Sequence, residues 1–410
     1  MGAATVAPNA RASAPPWLFA LAAAPYGSFN GLIAVALPYV LRRYGISVEH
    51  IAKVGAIVQA PTIWYFLWAP VVDVRFRRRT WVILLSLGGA LSCAFAMGGN
   101  ASPSVRRLTL LLVLASIFSQ PISSAIGGLI ATVVPNSMRG RTGGWSQAGI
   151  VAAGVIAGGV TVWLTGHASP TATSIVAALF IAVPAFSVLA IDEPPPPRVK
   201  LKPHLSNMLR DVVASLRRRD VQLGLVFFLS PISAGALTNL FSAVAADFRA
   251  STTTVLWVVA IAGVLTPAGA LLGGVVCDRF DRWRVYPVAG IASAIAAVGT
   301  LAGPLAPRTY VLGAAVYALA TGFGYAAFMA LALDLTGRNT AATGTRFTLF
   351  MAASNTPIVY MLRLDGWGHA HFGVRGMLAV DAIANAAFGL AFLANRSPKW
   401  TFRRRVTDVQ

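Results

Sequence analysis

The sequence is poor in acid. Asp and Glu number 13 in 410 residues against 33 Lys and Arg, a net charge of +20. Charged residues of both signs make up only 11% of the chain, where a soluble domain carries about 25%. So little charge cannot keep a protein surface in water, and a 56% hydrophobic content makes the bilayer the expected solvent. The basic excess does not point to nucleic acid, because Lys and Arg lie in short loops between apolar runs and form no continuous basic face. Cysteine is scarce as well, and Cys93 and Cys277 supply no disulfide framework. Of five histidines only His369 and His371 are close together, with only Asp365 nearby, a poor donor set for a metal. No Gly-rich loop ending in Lys-Ser/Thr is present, so neither ATP-driven pumping nor an enzyme reading has support, and no cofactor is expected.

What is abundant is apolar runs long enough to span a bilayer. Twelve are expected: Trp17–Leu41, Ile51–Val72, Thr80–Met97, Leu108–Val133, Trp145–Gly166, Thr171–Ile191, Val221–Ala245, Thr252–Val276, Val285–Gly303, Tyr310–Leu333, Arg346–Gly366 and Gly376–Ala394. Prolines inside them (Pro25, Pro61, Pro121, Pro231, Pro267, Pro357) are tolerable where neighbouring helices satisfy the freed backbone groups. Gly154, Gly158, Gly273 and Gly274 are expected to let helices approach closely. If the N-terminus is cytoplasmic, 24 of the 33 Lys and Arg fall on the cytoplasmic side, so both termini are expected inside, in a plasma membrane, with a bacterial inner membrane as the expected setting.

The expected organisation is an N-terminal tail (1–16), a six-helix bundle (17–191), a cytoplasmic linker (192–220), a second six-helix bundle (221–394) and a basic cytoplasmic tail (395–410). In the linker, Leu205, Met208, Leu209, Val212, Val213 and Leu216 share one helical face while Arg210 and Arg217–Arg219 lie off it. Two readings stay open, a helix lying on anionic lipid of the inner leaflet and a plain extension of the seventh span. The two bundles repeat. Pro25 corresponds to Pro231 at an offset of 206 and Asp73 to Asp278 at 205, so the repeat is parallel, six helices plus six.

Two loops organise the chain: Asp73 with Arg75, Arg77, Arg78 and Arg79, and Gly274 to Arg284 with Asp278, Arg279 and Arg282. They resemble the loop motif of the major facilitator superfamily, the second copy closely and the first with Ala69, Val74 and Phe76 in place of the usual residues. Within that superfamily, Leu37–Ser47, Phe66–Asp73, Gly322–Ala330 and Gly344–Phe350 look like the branch of AmpG-type muropeptide permeases and acetyl-CoA transporters. That resemblance implies transport of a small solute by alternating access, coupled to a proton gradient as symport. An exporter or facilitator of an unrelated solute, or a membrane sensor that kept the fold, are the alternatives. The branch's two fourth-span acids are replaced here by Pro121 and Ala125, and only Gln120 remains. A monomer is the default for the fold.

Asp73, Arg77, Arg78, Asp278, Arg279 and Arg282 are candidates for conformational gating, since ion pairs at helix ends can hold one conformation and release another. Polar side chains inside spans are costly and often functional. Tyr26, Asn30, Gln59, Gln120, Asn239, Tyr325 and Asn355 are therefore the candidate solute contacts, each also readable as an interhelical hydrogen bond. Arg363 and Asp381 are expected to pair across the last two spans.

Overall fold

The computed structural model describes residues 14–64, 67, 72, 76–98, 104–135, 138–195, 210, 212–336 and 343–394. Among the described residues the chain makes twelve helical traverses. They are α1 (Leu18–Arg43), α2 (Val48–Gln59, continued past Ala60 by Pro61–Trp64), α3 (Arg78–Met97), α4 (Val105–Val133), α5 (Arg139–Leu164) and α6 (Pro170–Ala185, ending in the 3-10 turn Phe186–Ala190). Then come α7 (Arg219–Phe228, continued by short turns to Phe248), α8 (Thr252–Arg279), α9 (Arg282–Ala302), α10 (Pro307–Thr336), and α11 and α12. The last two, residues 343–371 and 374–394, meet at a corner where Gly373 takes φ +63°. Among the described residues nine helices, counting the α11–α12 stretch as one, are long and apolar enough to cross a membrane.

Successive turns alternate between two faces. Arg77, Arg139 and Arg279 lie at one, called here the basic face, and turns 44–47, 165–169, 249–251, 303–306 and 372–373 lie at the opposite face. Helices start where a side chain satisfies a free backbone N–H. Ser47, Ser169 and Ser251 do so at the opposite face, accepting from His50, Ala172 and Thr254. At the basic face Asp281 caps α9, while α3 is capped from outside its own chain segment: Glu193 accepts from Arg78 N at 2.9 Å and Arg79 N at 3.0 Å.

Close approaches fall where glycine leaves room. A Cβ on Gly31 would overlap the Gly154 carbonyl between α1 and α5, and one on Gly322 would overlap Thr266 O between α10 and α8. Gly274 makes no such approach: nothing lies within 4 Å of its Cβ position, so its small size is not explained by packing. Gly31→Val should cost about 1–3 kcal/mol through overpacking, read as a lower thermal midpoint in detergent, and an unchanged midpoint would contradict the contact.

The seventh traverse corrects the expectation of one continuous span over Val221–Ala245. α7 stops at Phe228, and the chain resumes only in short turns at Ala236–Asn239, Phe241–Val244 and Ala245–Phe248. Pro231 offers no N–H, and Ser233 (φ 65°) and Gly235 (φ 60°) leave the helical region. Tyrosine hydroxyls take up the freed carbonyls: Tyr286 donates to Ile232 O at 3.0 Å and Tyr360 to Leu229 O at 2.8 Å. α1 carries a milder irregularity, a π segment at Leu32–Ala36, whose Val35 carbonyl accepts from Ser242 at 2.8 Å. Both breaks lie where the two bundles meet.

The candidate site between the two bundles

The apolar core divides in a way that defines a cavity. One cluster joins both bundles at the opposite face and includes Phe29, Leu37, Ile51, Phe241, Val255 and Leu362. At the basic face the described residues form two separate clusters. One, with Phe19, Val82, Ile122 and Leu129, belongs to the N-terminal bundle; the other, with Phe228, Tyr286, Leu331 and Phe350, belongs to the C-terminal bundle. Among the described residues the bundles are thus sealed together at one end and parted at the other.

Polar contacts reinforce the sealed end. Tyr39 and Thr252 hydroxyls lie 2.7 Å apart. Asp247 meets Arg42 at 3.6 Å and His369 at 3.1 Å, so three elements from both bundles converge on one carboxylate. Two helix pairs close the seam: Gly366 of α11 sits against Ala52 and Glu49 of α2, and Gly263 of α8 against Val155 of α5. At the rim, Lys53 pairs with Glu49 at 2.5 Å, and its ammonium holds the Glu49 carboxyl below the usual carboxylate range.

The candidate solute contacts occupy several levels of this interface. Tyr325, 44% exposed in mid-span, lies beside Gly235 of the broken seventh traverse and within electrostatic reach of Tyr26 on α1. An exposed tyrosine that is also close to both bundles looks into the space between them. Asn30, one turn beyond Tyr26, donates to the Tyr26 carbonyl at 2.9 Å. Asn355 reaches across to Thr62 O at 3.4 Å, and the Thr62 hydroxyl in turn donates to Gln59 O. Gln120 is buried on α4, and neither its amide nitrogen nor the hydroxyl of the neighbouring Ser119 has a partner among the described residues. Asn239 lies half-buried in the 3-10 turn after the break. The structure therefore brings Tyr26, Asn30 and Tyr325 together, and Gln59 with Asn355, while Gln120 and Asn239 stand apart and make no polar contact with the others. A cavity of about 240 Å³ near Arg43, Tyr44 and Thr165 lies at the opposite end of the N-terminal bundle, away from all of these.

Sequence comparison decides the family. The Major Facilitator Superfamily family model matches residues 19–230, more than half of the chain. The chain belongs to the major facilitator superfamily. Solved structures carry the likeness over nearly all of it. The partially occluded inward-open xylose transporter XylE from E. coli is 12% identical, with 93% of this chain and 97% of that one covered and a TM-score of 0.69. The nucleoside transporter NupG is 13% identical, with 92% and 98% covered and a TM-score of 0.70. A bacterial homologue of the human lysosomal transporter Spinster, inward-facing and unoccupied, is 16% identical, with 92% and 96% covered and a TM-score of 0.65. At such identities these likenesses establish the fold alone.

In this major facilitator protein the two loop motifs are only partly visible. Asp73 and Arg75 lie outside the described residues. Arg78 extends from α3 to α4, donating to Gly128 O at 2.9 Å and the Thr132 hydroxyl at 2.5 Å. Arg282 repeats this from α9 to α10, donating to Ala330 O at 3.5 Å and pairing with Asp334. The acceptors correspond at one offset of 202, with Thr132 where the second bundle has Asp334. Arg77 is half-buried at the start of α3. Asp278 and Arg279 are exposed at the end of α8, and Asp278 makes no hydrogen bond or ion pair with a described residue.

The expected Arg363–Asp381 pair is not formed. Arg363 is exposed, whereas Asp381 is buried and accepts from the Tyr317 hydroxyl at 3.1 and 3.3 Å. The reason is helical phase: Arg363 faces away from α12, and Asp365, two residues on, faces inward. Sequence reasoning also missed Glu193, Asp247 with His369, and Tyr317. None carries a motif, and each acquires its role from a partner more than 60 residues away.

Proposed function

We propose that this protein is a secondary active transporter that moves a small solute by alternating access, driven by a proton gradient as symport in the manner of AmpG-type permeases. The observation that carries the reading is the divided core: sealed at the opposite face, parted at the basic face, with polar side chains of both bundles between. The positive-inside rule makes the basic face cytoplasmic, so the conformation is inward-open. Tyr26, Asn30 and Tyr325 are the solute contacts best supported by position, with Gln59, Gln120, Asn239 and Asn355 completing the lining. Outside this cavity, Val213 and Leu216 are exposed beside Arg217, Arg218 and Arg219, which suits contact with anionic lipid at the inner leaflet. Residues 205, 208 and 209 of that face lie outside the described residues.

The reading is tested by uptake of a labelled anhydromuropeptide into cells that lack their own permease and express this chain, with and without an uncoupler. Uncoupler-sensitive uptake is expected. No uptake from well-expressed protein would detach the chain from muropeptides, and a solute screen in proteoliposomes would then separate an unrelated transporter from a non-transporting sensor. Asp278, which has no partner among the described residues, is proposed to find one when the basic face closes. Asp278→Asn should lower uptake at unchanged membrane abundance; normal uptake would remove the residue from the gate.

A further inference from the structure

Among the described residues no acid stands with the side chains that line the cavity at mid-span. Those that line it at mid-span, Tyr26, Asn30 and Tyr325, are not acids. Two carboxylates lie elsewhere in the span region, behind the sealed end. Asp365 of α11 and Asp381 of α12 are 0% and 1% exposed, each roughly 10 Å along its helix from the corner at Gly373. They lie within electrostatic reach of each other. Asp381 accepts from Tyr317, but neither oxygen of Asp365 has a hydrogen-bond partner among the described residues.

Among the described residues no cation forms an ion pair with either. Basic groups of the neighbouring elements are otherwise placed: Lys53 of α2 is held by Glu49, Arg42 of α1 by Asp247 of the seventh traverse, and Arg249 and Arg308 are exposed. Arg363 and Arg375, on the same two helices as the pair, are exposed. Of the histidines in this region, His50 is bonded to Ser47, His369 to Asp247 and His371 to the Trp367 carbonyl. Tyr310 of α10 donates to Phe241 O, and Tyr286 of α9 is at the other end of its helix. Two buried carboxyls at one level of the α11–α12 hairpin, each eight residues from Gly373 and with no ion-pair partner among the described residues, cannot both be ionised. One proton between them would give Asp365 the partner it lacks.

Their position ties that proton to the gate. The residue next to Asp365 is Gly366, pressed on Ala52 and Glu49 of α2 across the seam between bundles. Parting α2 from α11 opens the opposite face and removes the cover from the pair. We propose that Asp365 and Asp381 share the coupling proton, and that holding it is what allows the opposite face to close. This rests on the proton-linked reading above and gives it a site. The proton comes from water at the opposite face while that face is open. It leaves to water of the central cavity when a later conformation wets Tyr317, which stands on one face of α10 with Thr321 and Tyr325, one and two turns nearer that cavity.

The test places spin labels at Tyr44 and Ala250, on either side of the seam, in a chain whose two cysteines are replaced by alanine. The label distance is followed by pulsed electron resonance in nanodiscs from acidic to alkaline buffer. In the parent chain the short-distance population should dominate in acid and fall by about tenfold in alkali. Asp365→Asn and Asp381→Asn, which cannot lose a proton there, should stay closed throughout. Tyr317→Phe, a milder change, removes a donor that favours the ionised carboxylate, so the closed state should persist to higher pH. His369→Gln should keep the response. A response unchanged in both Asn variants, absent from the parent, or lost only in His369→Gln overturns the proposal. Uncoupler-sensitive uptake, measured alongside, separates the two readings. If it is present while the Asn variants still respond, the proton site lies elsewhere in a proton-linked transporter; if uptake occurs but is insensitive to the uncoupler, the proton-linked reading itself fails.

Discussion

Gly366→Leu is expected to lower transport by about tenfold to a hundredfold while the protein remains folded. The Cβ position of Gly366 lies within 3.3 Å of the Glu49 Cα and closer still to the Ala52 methyl, so a leucine there wedges α11 away from α2. Overpacking of this kind costs about 1–3 kcal/mol. Its effect on a static fold would be modest. In a protein that must pass between two states of similar energy, the same penalty falls on one state only and becomes a shift in their ratio. The expected signature is normal abundance and a monodisperse elution profile, lost solute flux, and lengthened label distances across the opposite face. Full activity would mean that α2 and α11 need not touch during the cycle.

Gly235→Val should be comparably damaging for a different reason. Gly235 takes φ +60°, which a β-branched residue resists at a cost of about 1–3 kcal/mol. A Cβ there would also stand 2.7 Å from the Thr321 methyl and 3.3 Å from the Tyr325 hydroxyl, crowding the proposed solute contact. Solute flux should fall by at least about tenfold, with Gly235→Ala intermediate. Gly274→Ala is the control: it changes a motif glycine whose Cβ position has no neighbour within 4 Å, and its fold and abundance should not change. Equal flux in the parent chain and Gly235→Val would detach the break in the seventh traverse from function.

Much of the architecture was legible because membrane spans are written in composition. Apolar length and basic loops mark the traverses one by one, and the repeat of Pro25 at Pro231 declares two bundles. The break after α7 was not legible. Pro25, Pro121 and Pro267 all sit inside intact helices, and Pro231 differs only through what surrounds it. There the hydroxyls of Tyr286 and Tyr360, 54 and 131 residues from the carbonyls they bind, make an unwound backbone tolerable in a membrane. Charge partners were the least legible. Arg363 and Asp381 looked like a pair because both are ionisable and lie on adjacent spans, yet a two-residue difference in helical phase puts Asp365 on the inner side instead. The symmetry of Arg78 and Arg282 was visible in the loops, but their acceptors on α4 and α10 were not, because Thr132 and Asp334 differ in chemistry and correspond only in place.

The account rests on one cavity that opens to one face at a time, and the exposure of Tyr325 tests it without knowledge of the solute. With Tyr325→Cys as the sole reactive thiol, a membrane-impermeant maleimide is applied to sealed vesicles of either orientation. The account predicts labelling from the basic face and protection from the opposite face, with Gly366→Leu shifting reactivity toward the opposite face. Labelling from both faces at once, or from neither in both backgrounds, would contradict alternating access.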